Sequence, residues 1–215
     1  MDSSYRIGWV FFRTLFATWF RCRYCNPERV PQAGPVILAS NHASFIDPPL
    51  VGAGLTRQVN YLARNTLFDT PLLGAVLRSW KVVPVDREGG GGAGLKAILD
   101  RLLEGGVILL FPEGTRSADG GLRPAKSGIG LTVVKSSAVV VPVRVFGTFE
   151  AWSRHTRFPR PRRVVVKYAR PMAFEQLRAE AKTCSKDRLK EIYQQIADEI
   201  MAAIARLEPK RDDGR

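Results

Sequence analysis

The sequence predicts an α/β fold with a mostly parallel central sheet flanked by helices, preceded by an amphipathic N-terminal helix that associates with a membrane. From Pro35 onward, short β-branched runs alternate with helix-compatible segments, a pattern typical of parallel strand–helix units. A chain of 215 residues is long enough for one domain with a continuous core. We divide it into an N-terminal helix and connector (1–34), an α/β domain (35–208) and a polar tail (209–215).

The N-terminal segment is almost entirely apolar over residues 7–20, yet it is shorter than the roughly 20 residues that a membrane-spanning helix needs. At about 100° per residue, its large apolar side chains share one arc and its arginines another. The first arc holds Trp9, Phe12, Leu15, Phe16, Trp19 and Phe20, and the second holds Arg6, Arg13 and Arg21. We predict that residues 4–24 form an in-plane membrane anchor with the aromatic arc facing the lipid. A helix packed on the protein's own core would show the same periodicity.

Six apolar runs have the length and composition of strands. They are residues 36–39, 59–63, 82–85, 107–111, 139–146 and 164–168. The segment 186–207 carries leucine and isoleucine at three- and four-residue steps, which predicts a long amphipathic helix packed on the sheet.

The chain is strongly basic, with 33 lysines and arginines against 20 acidic residues and a net charge of +13. Such an excess indicates an anionic partner: nucleic acid, a membrane surface or a phosphorylated substrate. Arginines and one lysine occupy residues 154–170 with no acid between Glu150 and Glu175, but no nucleic-acid-binding motif accompanies them. We therefore expect no nucleic acid partner.

The three cysteines, an odd number, favour a reducing compartment. Cys22 and Cys25 have a C-x-x-C spacing, but no second pair follows and neither histidine falls at a zinc-finger offset. The sequence predicts free thiols and no metal site.

The first candidate site follows the run at 36–39, where His42 and Asp47 lie five positions apart. If the strand ends near Ser40, both lie at the carboxyl edge of the sheet, where open α/β folds place their sites. An aspartate that accepts from one imidazole nitrogen leaves the other free to take a proton from a substrate hydroxyl. Ser44 is too close to His42 to be its target without unusual geometry, so the substrate's own hydroxyl is the better nucleophile.

The second candidate segment follows the run at 107–111 and reads Phe-Pro-Glu-Gly-Thr-Arg-Ser from Phe111. Gly114, Thr115 and Arg116 offer flexible backbone, a hydroxyl and a fork-shaped cation, a set suited to phosphate oxygens. Glu113 would repel phosphate, so we expect it to accept from a substrate hydroxyl or to hold Arg116.

Together these segments resemble the glycerolipid acyltransferase family, in particular 1-acylglycerol-3-phosphate acyltransferases, over roughly residues 35–145. Four blocks match in order: the His42 and Asp47 pair, residues 84–87, residues 111–117 and residues 141–143. One departure lies at residues 63–68, where the family usually has lysine and glutamate before a Leu-Phe pair. Arg64 keeps the positive charge there, and the role of that lysine stays open.

The resemblance implies that His42 is the general base, that Asp47 is its partner and that the other matched positions bind substrate. Those positions are Arg87, Glu113, Gly114, Thr115, Arg116, Lys126 and Gly128. It implies no metal or redox cofactor, with acyl-CoA or acyl carrier protein as the co-substrate.

We therefore expect an O-acyltransferase that moves a fatty acyl group from acyl-CoA or acyl carrier protein to the hydroxyl of a lysophospholipid. The first choice of acceptor is 1-acylglycerol 3-phosphate, giving phosphatidate. Lyso-ornithine lipid, another lysophospholipid or glycerol 3-phosphate would fit the same blocks. We expect a monotopic protein on an anionic phospholipid membrane, with its site on the cytoplasmic side. The alternative from another class is a non-catalytic basic protein bound to membrane or nucleic acid.

Overall fold

The structure is a computed structural model that describes residues 3–80, 82–85 and 92–212. Its strands are β1 (Arg23–Cys25), β2 (Val36–Ser40), β3 (Val59–Asn60), β4 (Leu62–Arg64), β5 (Val83–Val85), β6 (Val107–Leu110), β7 (Val139–Phe146) and β8 (Val165–Tyr168). Its α-helices are α1 (Ser3–Thr18), α2 (Asp47–Ala53), α3 (Pro71–Ser79), α4 (Gly92–Leu103), α5 (Gly128–Val134), α6 (Thr148–Trp152), α7 (Glu175–Glu180) and α8 (Lys186–Ala205).

The main sheet has six strands in the order β1-β8-β7-β2-β6-β3, and only the β7–β8 pair is antiparallel. This confirms the predicted fold class, and each of the six predicted runs contains a strand. The run at 59–63 splits into two strands, and the Asn60 side chain donates to the Val107 carbonyl (3.0 Å) where β3 ends. Strand β4 then pairs with β5 in a separate two-stranded sheet.

Helices cover both faces of the main sheet, so its central strands are apolar on both sides, as parallel sheets are. Val36 and Leu38 of β2 pack into the core beneath α1 and α2. Ile37 and Ala39, which point the opposite way, pack into the core beneath α4, α5 and α8. The long predicted helix is α8, which supplies Ile192, Ile196, Ile200 and Ile204 to that second core.

Helix α1 forms as predicted, but its aromatic arc faces the protein. Phe16 and Phe20 are buried in the core beneath α2, and the Trp9 indole donates to the Leu55 carbonyl at 2.9 Å. Arg13 donates to the Ala53 carbonyl. The assignment of the whole arc to the lipid is therefore wrong, because α2 and the sheet cover Phe16 and Phe20, and only Trp19 of the arc is exposed.

The outward side of α1 is also apolar: Ile7, Val10 and Phe11 are 72%, 52% and 61% exposed. The start of α1 meets the end of α3, where the Tyr5 ring lies 6.0 Å from that of Trp80. On α3, Leu72 is 81% exposed. Within the described part of the chain, no helix is both long enough and apolar enough to span a bilayer.

Two segments outside the predicted α/β boundaries join the domain. Strand β1, inside the connector, pairs with β8. At the other end, residues 209–212 are held against the domain rather than frayed, because the buried Lys167 ammonium donates to Asn26, to the Lys210 carbonyl and to Asp212. Asp212 also pairs with Arg29. These contacts lower the pKa of Asp212 to about 2, mainly through its hydrogen bonds to Lys167 and Arg29.

Candidate active site

The loop after β2 leaves the sheet between β6 and β7, at the carboxyl ends of three parallel strands. Asn41 fixes where it leaves. Its side chain donates to the Val145 carbonyl (3.2 Å) and accepts from the Val145 amide (2.8 Å), so it continues the pairing with β7 in place of backbone. The next residue, His42, therefore projects from a fixed point at this edge.

His42 and Asp47 form the predicted pair. The imidazole Nδ1 lies 2.9 Å from Oδ2 of Asp47, the first residue of α2. The same oxygen accepts from the backbone amides of Ala43 and Ser44, each at 2.7 Å, and the carboxylate is fully buried. An aspartate in this position places the proton on Nδ1 and leaves the Nε2 lone pair available. The Ser44 hydroxyl donates to the Trp152 carbonyl at 2.6 Å rather than to His42.

The segment that begins at Phe111 is hydrogen-bonded to the loop that carries His42. The His42 amide donates to Glu113 Oε1 (3.0 Å), and the Ser117 amide donates to the His42 carbonyl (2.7 Å). Glu113 is 2% exposed, and burial raises the pKa of its carboxyl to about 7, against the opposing effect of the His42 and Arg123 amides. Glu113 thus contacts the backbone of the loop that carries His42, and its part in acceptor binding stays a prediction.

Aromatic rings contact the side chains of His42 and Arg116. The His42 imidazole stacks on Phe111, with centroids 3.9 Å apart and planes 16° from parallel. The Arg116 guanidinium lies 3.6 Å from the centroid of the Phe45 ring, which also contacts Trp152. A guanidinium at this distance from an aromatic face is attracted by the ring, which helps to hold the Arg116 charge in place.

A cavity of about 370 Å³ opens beside the imidazole. The lining includes His42, Gly114 and Lys126, together with Arg64 and Gly128. Gly114 has a φ of +69°, and a side chain there would approach the Lys126 side chain to about 3.0 Å, so glycine lets the lysine lie across the loop. The rest of the lining is mainly apolar and includes Tyr61, Leu62, Val85, Ile98, Leu109, Leu110 and Ile129.

The structure brings most of the predicted site residues to this edge. His42, Gly114, Lys126 and Gly128 line one cavity, and the backbone of Glu113 through Ser117 runs against the His42 loop. Thr115 and Arg116 are half-buried in that segment. Arg87 lies outside the described residues.

Three contributors were not predicted: Phe45, Phe111 and Tyr61. Phe45 and Phe111 lie inside the two motifs, so their positions were a usable signal, whereas nothing in the sequence connects Tyr61 with the site. Cys22 and Cys25 are free, as predicted, and burial raises the pKa of Cys22 to about 12. The described residues contain no group of three or more histidine, cysteine or acidic side chains that could hold a metal ion.

The fold and the site together define an α/β protein in which the histidine of a histidine–aspartate pair lines a largely apolar cavity that also has basic side chains in its lining. The chain belongs to the acyltransferase family, whose family model matches residues 21–146, more than half of its length.

Curated relatives share this region. A protein of Bacillus subtilis named 1-acyl-sn-glycerol-3-phosphate acyltransferase is 31% identical over 123 residues, covering 57% of this chain and 61% of the relative. A chloroplastic protein of Arabidopsis thaliana with the same activity in its name is 32% identical over 124 residues, covering 56% of this chain and 35% of the relative. A third, from Limnanthes alba, is 33% identical over 142 residues, covering 63% and 50%. The match therefore spans between about a third and three fifths of these relatives.

A solved structure has the same fold. The 1-acyl-sn-glycerophosphate acyltransferase PlsC from Thermotoga maritima superposes with a TM-score of 0.71 at 23% identity, covering 96% of this chain and 81% of that one.

Proposed function

We propose that this protein transfers a fatty acyl group from a thioester donor to the hydroxyl of a lysophospholipid, with 1-acylglycerol 3-phosphate as acceptor and phosphatidate as product. The observation that carries the proposal is the His42–Asp47 pair, whose histidine lines a largely apolar cavity together with Lys126. The names of the relatives support the acceptor, since they specify 1-acylglycerol 3-phosphate.

The chemistry follows from the geometry of the pair. The free Nε2 of His42 takes the proton of the acceptor hydroxyl while the hydroxyl oxygen attacks the thioester carbonyl carbon. Asp47 holds the ring in one tautomer and stabilises the imidazolium that forms. When the C–S bond breaks, the imidazolium returns its proton to the departing thiolate, which leaves an ester and a free thiol. No metal or redox cofactor takes part in this scheme, and the donor is acyl-CoA or acyl carrier protein.

The apolar and basic side chains of the site suit different parts of the substrate. Apolar walls such as Leu109 and Ile129 suit an acyl chain, because burying each methylene stabilises binding by about 0.8 kcal/mol. Lys126, a cation in the cavity lining, and Arg116, a cation three residues beyond Glu113 whose guanidinium lies over Phe45, suit the acceptor phosphate.

The proposal includes a bilayer surface as the place of reaction. Ile7, Val10 and Phe11 on α1 and Leu72 on α3 are large apolar side chains that are each more than half exposed. Contiguous exposed apolar surface of this kind marks a protein or membrane contact. The outward side of α1 replaces the arc of Phe16 as the lipid-facing side.

A radiolabelled acyl-transfer assay tests the function. Wild-type protein is expected to acylate 1-acylglycerol 3-phosphate in preference to a panel of other lysolipids and glycerol 3-phosphate, with acyl-CoA and acyl carrier protein compared as donors. His42→Ala should lose about 10²- to 10⁴-fold in turnover while remaining folded. A loss below tenfold would remove His42 from the mechanism, and preference for another acceptor would replace the proposed substrate.

A further inference from the structure

A second basic cavity lies away from the candidate active site, where the end of α1 meets the loop between α6 and β8. It has a volume of about 440 Å³. It is lined by Thr18, Trp19, Arg21, Pro161, Arg162 and Arg163. No carboxylate lines it, and none of its three arginines has an ion-pair partner among the described residues. We propose that this cavity binds the phosphate of an anionic phospholipid headgroup in the bilayer surface.

The backbone holds the arginines together. The Val164 amide donates to the Phe20 carbonyl (3.2 Å), and the Arg23 amide donates to the Val164 carbonyl (3.1 Å). These two bonds flank Arg21 on one segment and follow Arg163 on the other, so the guanidiniums share one cavity as a result of the fold. Three like charges held close together repel one another, and a bound anion removes that cost.

The backbone conformation of Arg21 also supports a role for its side chain. Its φ is +45°, in the left-handed region that follows many helices and that glycine adopts without strain. An arginine in this conformation is disfavoured relative to glycine. The chain nevertheless places a guanidinium here, at the edge of the cavity.

The outward side of α1 indicates that the anion belongs to a lipid. Ile7, Phe11 and Thr18 fall within about 40° of one another on the helix at 100° per residue. Ile7 and Phe11 are exposed, and Thr18 lines the cavity, so the apolar line leads into the arginine cluster. Trp19, 49% exposed in the lining, is a residue type that prefers the membrane interface. A helix lying in the bilayer surface along this line would bring the cavity to headgroup depth.

Vesicle partitioning of the full chain tests the site. The two vesicle types are pure phosphatidylcholine and equal parts of phosphatidylcholine and phosphatidylglycerol. The variant is Arg162→Gln/Arg163→Gln, and the matched control is Arg154→Gln/Arg157→Gln, which removes the same charge from the same loop outside the cavity. On the mixed vesicles, the partition coefficient of the variant should be about 25-fold lower than that of wild type, or about fivefold for each arginine. The partition coefficient of the control should fall by less than fivefold. Equal losses in the two double variants would overturn the proposal in favour of general electrostatic attraction.

Arg21→Gly separates the site from folding. It removes the third guanidinium and relieves the positive φ, so we expect about fivefold weaker partitioning onto the mixed vesicles with an unchanged or higher melting temperature. Partitioning equal to that of wild type would exclude Arg21 from the site and overturn the three-arginine proposal.

The donor also carries phosphates, so CoA is the competing source of the anion. If CoA displaces the protein from mixed vesicles and the Arg162→Gln/Arg163→Gln variant has a raised KM for acyl-CoA, the cavity is part of the donor site and the lipid assignment is wrong. The inference rests on the proposed function only in placing the protein at a bilayer. Failure of the proposed function would appear as absent turnover in wild type on a dispersed acceptor, whereas the partitioning comparison needs no turnover.

Discussion

The two loops around His42 and the surface around Arg21 are both proposed binding regions with nitrogen-bearing side chains, but the protein holds these side chains differently in the two regions. In the loop pair, the Asp47 carboxylate is fully buried and its Oδ2 is bonded to three N–H groups. Around Arg21, the guanidiniums are exposed and unpaired among the described residues. Chemistry on a single proton needs one fixed geometry, whereas attraction to a charged surface needs only enough cations near it. Small changes should therefore be severe in the first region and mild in the second.

Asp47→Asn should have the largest effect. The substitution keeps the shape of the side chain, but Oδ2 of Asp47 accepts three hydrogen bonds. If the amide NH₂ takes the place of Oδ2, it cannot accept from Nδ1–H or from the two backbone amides. The equivalent change in a serine-protease triad costs about 10⁴ in turnover, and we expect a similar loss here. Initial rates on a dispersed acceptor measure it, with exposed Asp69→Asn as the matched control. Near-normal activity would mean that Asp47 only orders the start of α2.

Two phenylalanines on α1 sharpen the contrast within one helix. Phe16→Ala should lower the free energy of unfolding by about 3 to 5 kcal/mol, because Phe16 is fully buried. Phe11→Ala should change it by less than about 0.5 kcal/mol, because Phe11 is 61% exposed. Urea unfolding of both variants decides between the two faces. Comparable losses would show that the outward side of α1 is also packed on protein.

Arg116→Ala is expected to raise the acceptor KM by about 10- to 150-fold, the range for loss of a charge-assisted hydrogen bond. Phe45→Leu, which keeps the guanidinium but removes the ring beneath it, should raise it by no more than about fivefold. Steady-state kinetics with the acceptor and donor varied in turn measure both. A rise confined to the donor KM would move Arg116 to the other substrate.

Glu113→Gln should have the smallest effect and one that depends on pH. Burial raises the pKa of Glu113 from its ordinary 4.5 to about 7, so between these values the folded state holds a proton that the unfolded state has lost. The wild type should therefore lose stability relative to Glu113→Gln as pH rises from about 4.5 to 7, with a constant difference above and below that window. Thermal unfolding from pH 4 to 8 measures the difference. A wild type that instead gains relative stability with rising pH would mean that the carboxylate is favourably paired.

The strand pattern of the sheet was predictable because each central strand is covered on both faces and reads as a continuous apolar run. Strand β1 was not, since three residues, Arg-Tyr-Cys, give no run to detect. The orientation of α1 also could not be predicted from the sequence. The arc of large apolar residues was identified correctly, but periodicity identifies an apolar face without saying whether protein or lipid covers it. The smaller apolar group at Ile7, Val10 and Phe11 showed its exposure only in three dimensions.

In the site, the histidine–aspartate pair was predictable because both residues belong to one loop, where spacing limits geometry. The partners of Glu113 were not. The sequence indicated a polar residue in an anion-binding segment, whereas its Oε1 accepts from the amide of His42, 71 positions earlier in the chain. Contacts between loops that follow different strands depend on strand order, which local patterns do not encode. Stacking of His42 on Phe111 was hidden for the same reason.

The buried ammonium of Lys167 affects the order in which parts of the sheet can assemble during synthesis. Strand β8 cannot neutralise this charge with Asp212 until 45 more positions have been translated. At about 5 to 20 residues per second, that interval is roughly 2 to 9 s. During it, the edge that joins β8 to β1 has an uncompensated cation, which disfavours closing the sheet there. The pairing of β2 with β6, whose following loops carry His42 and Glu113, does not involve Lys167, so it is free to form before this edge closes.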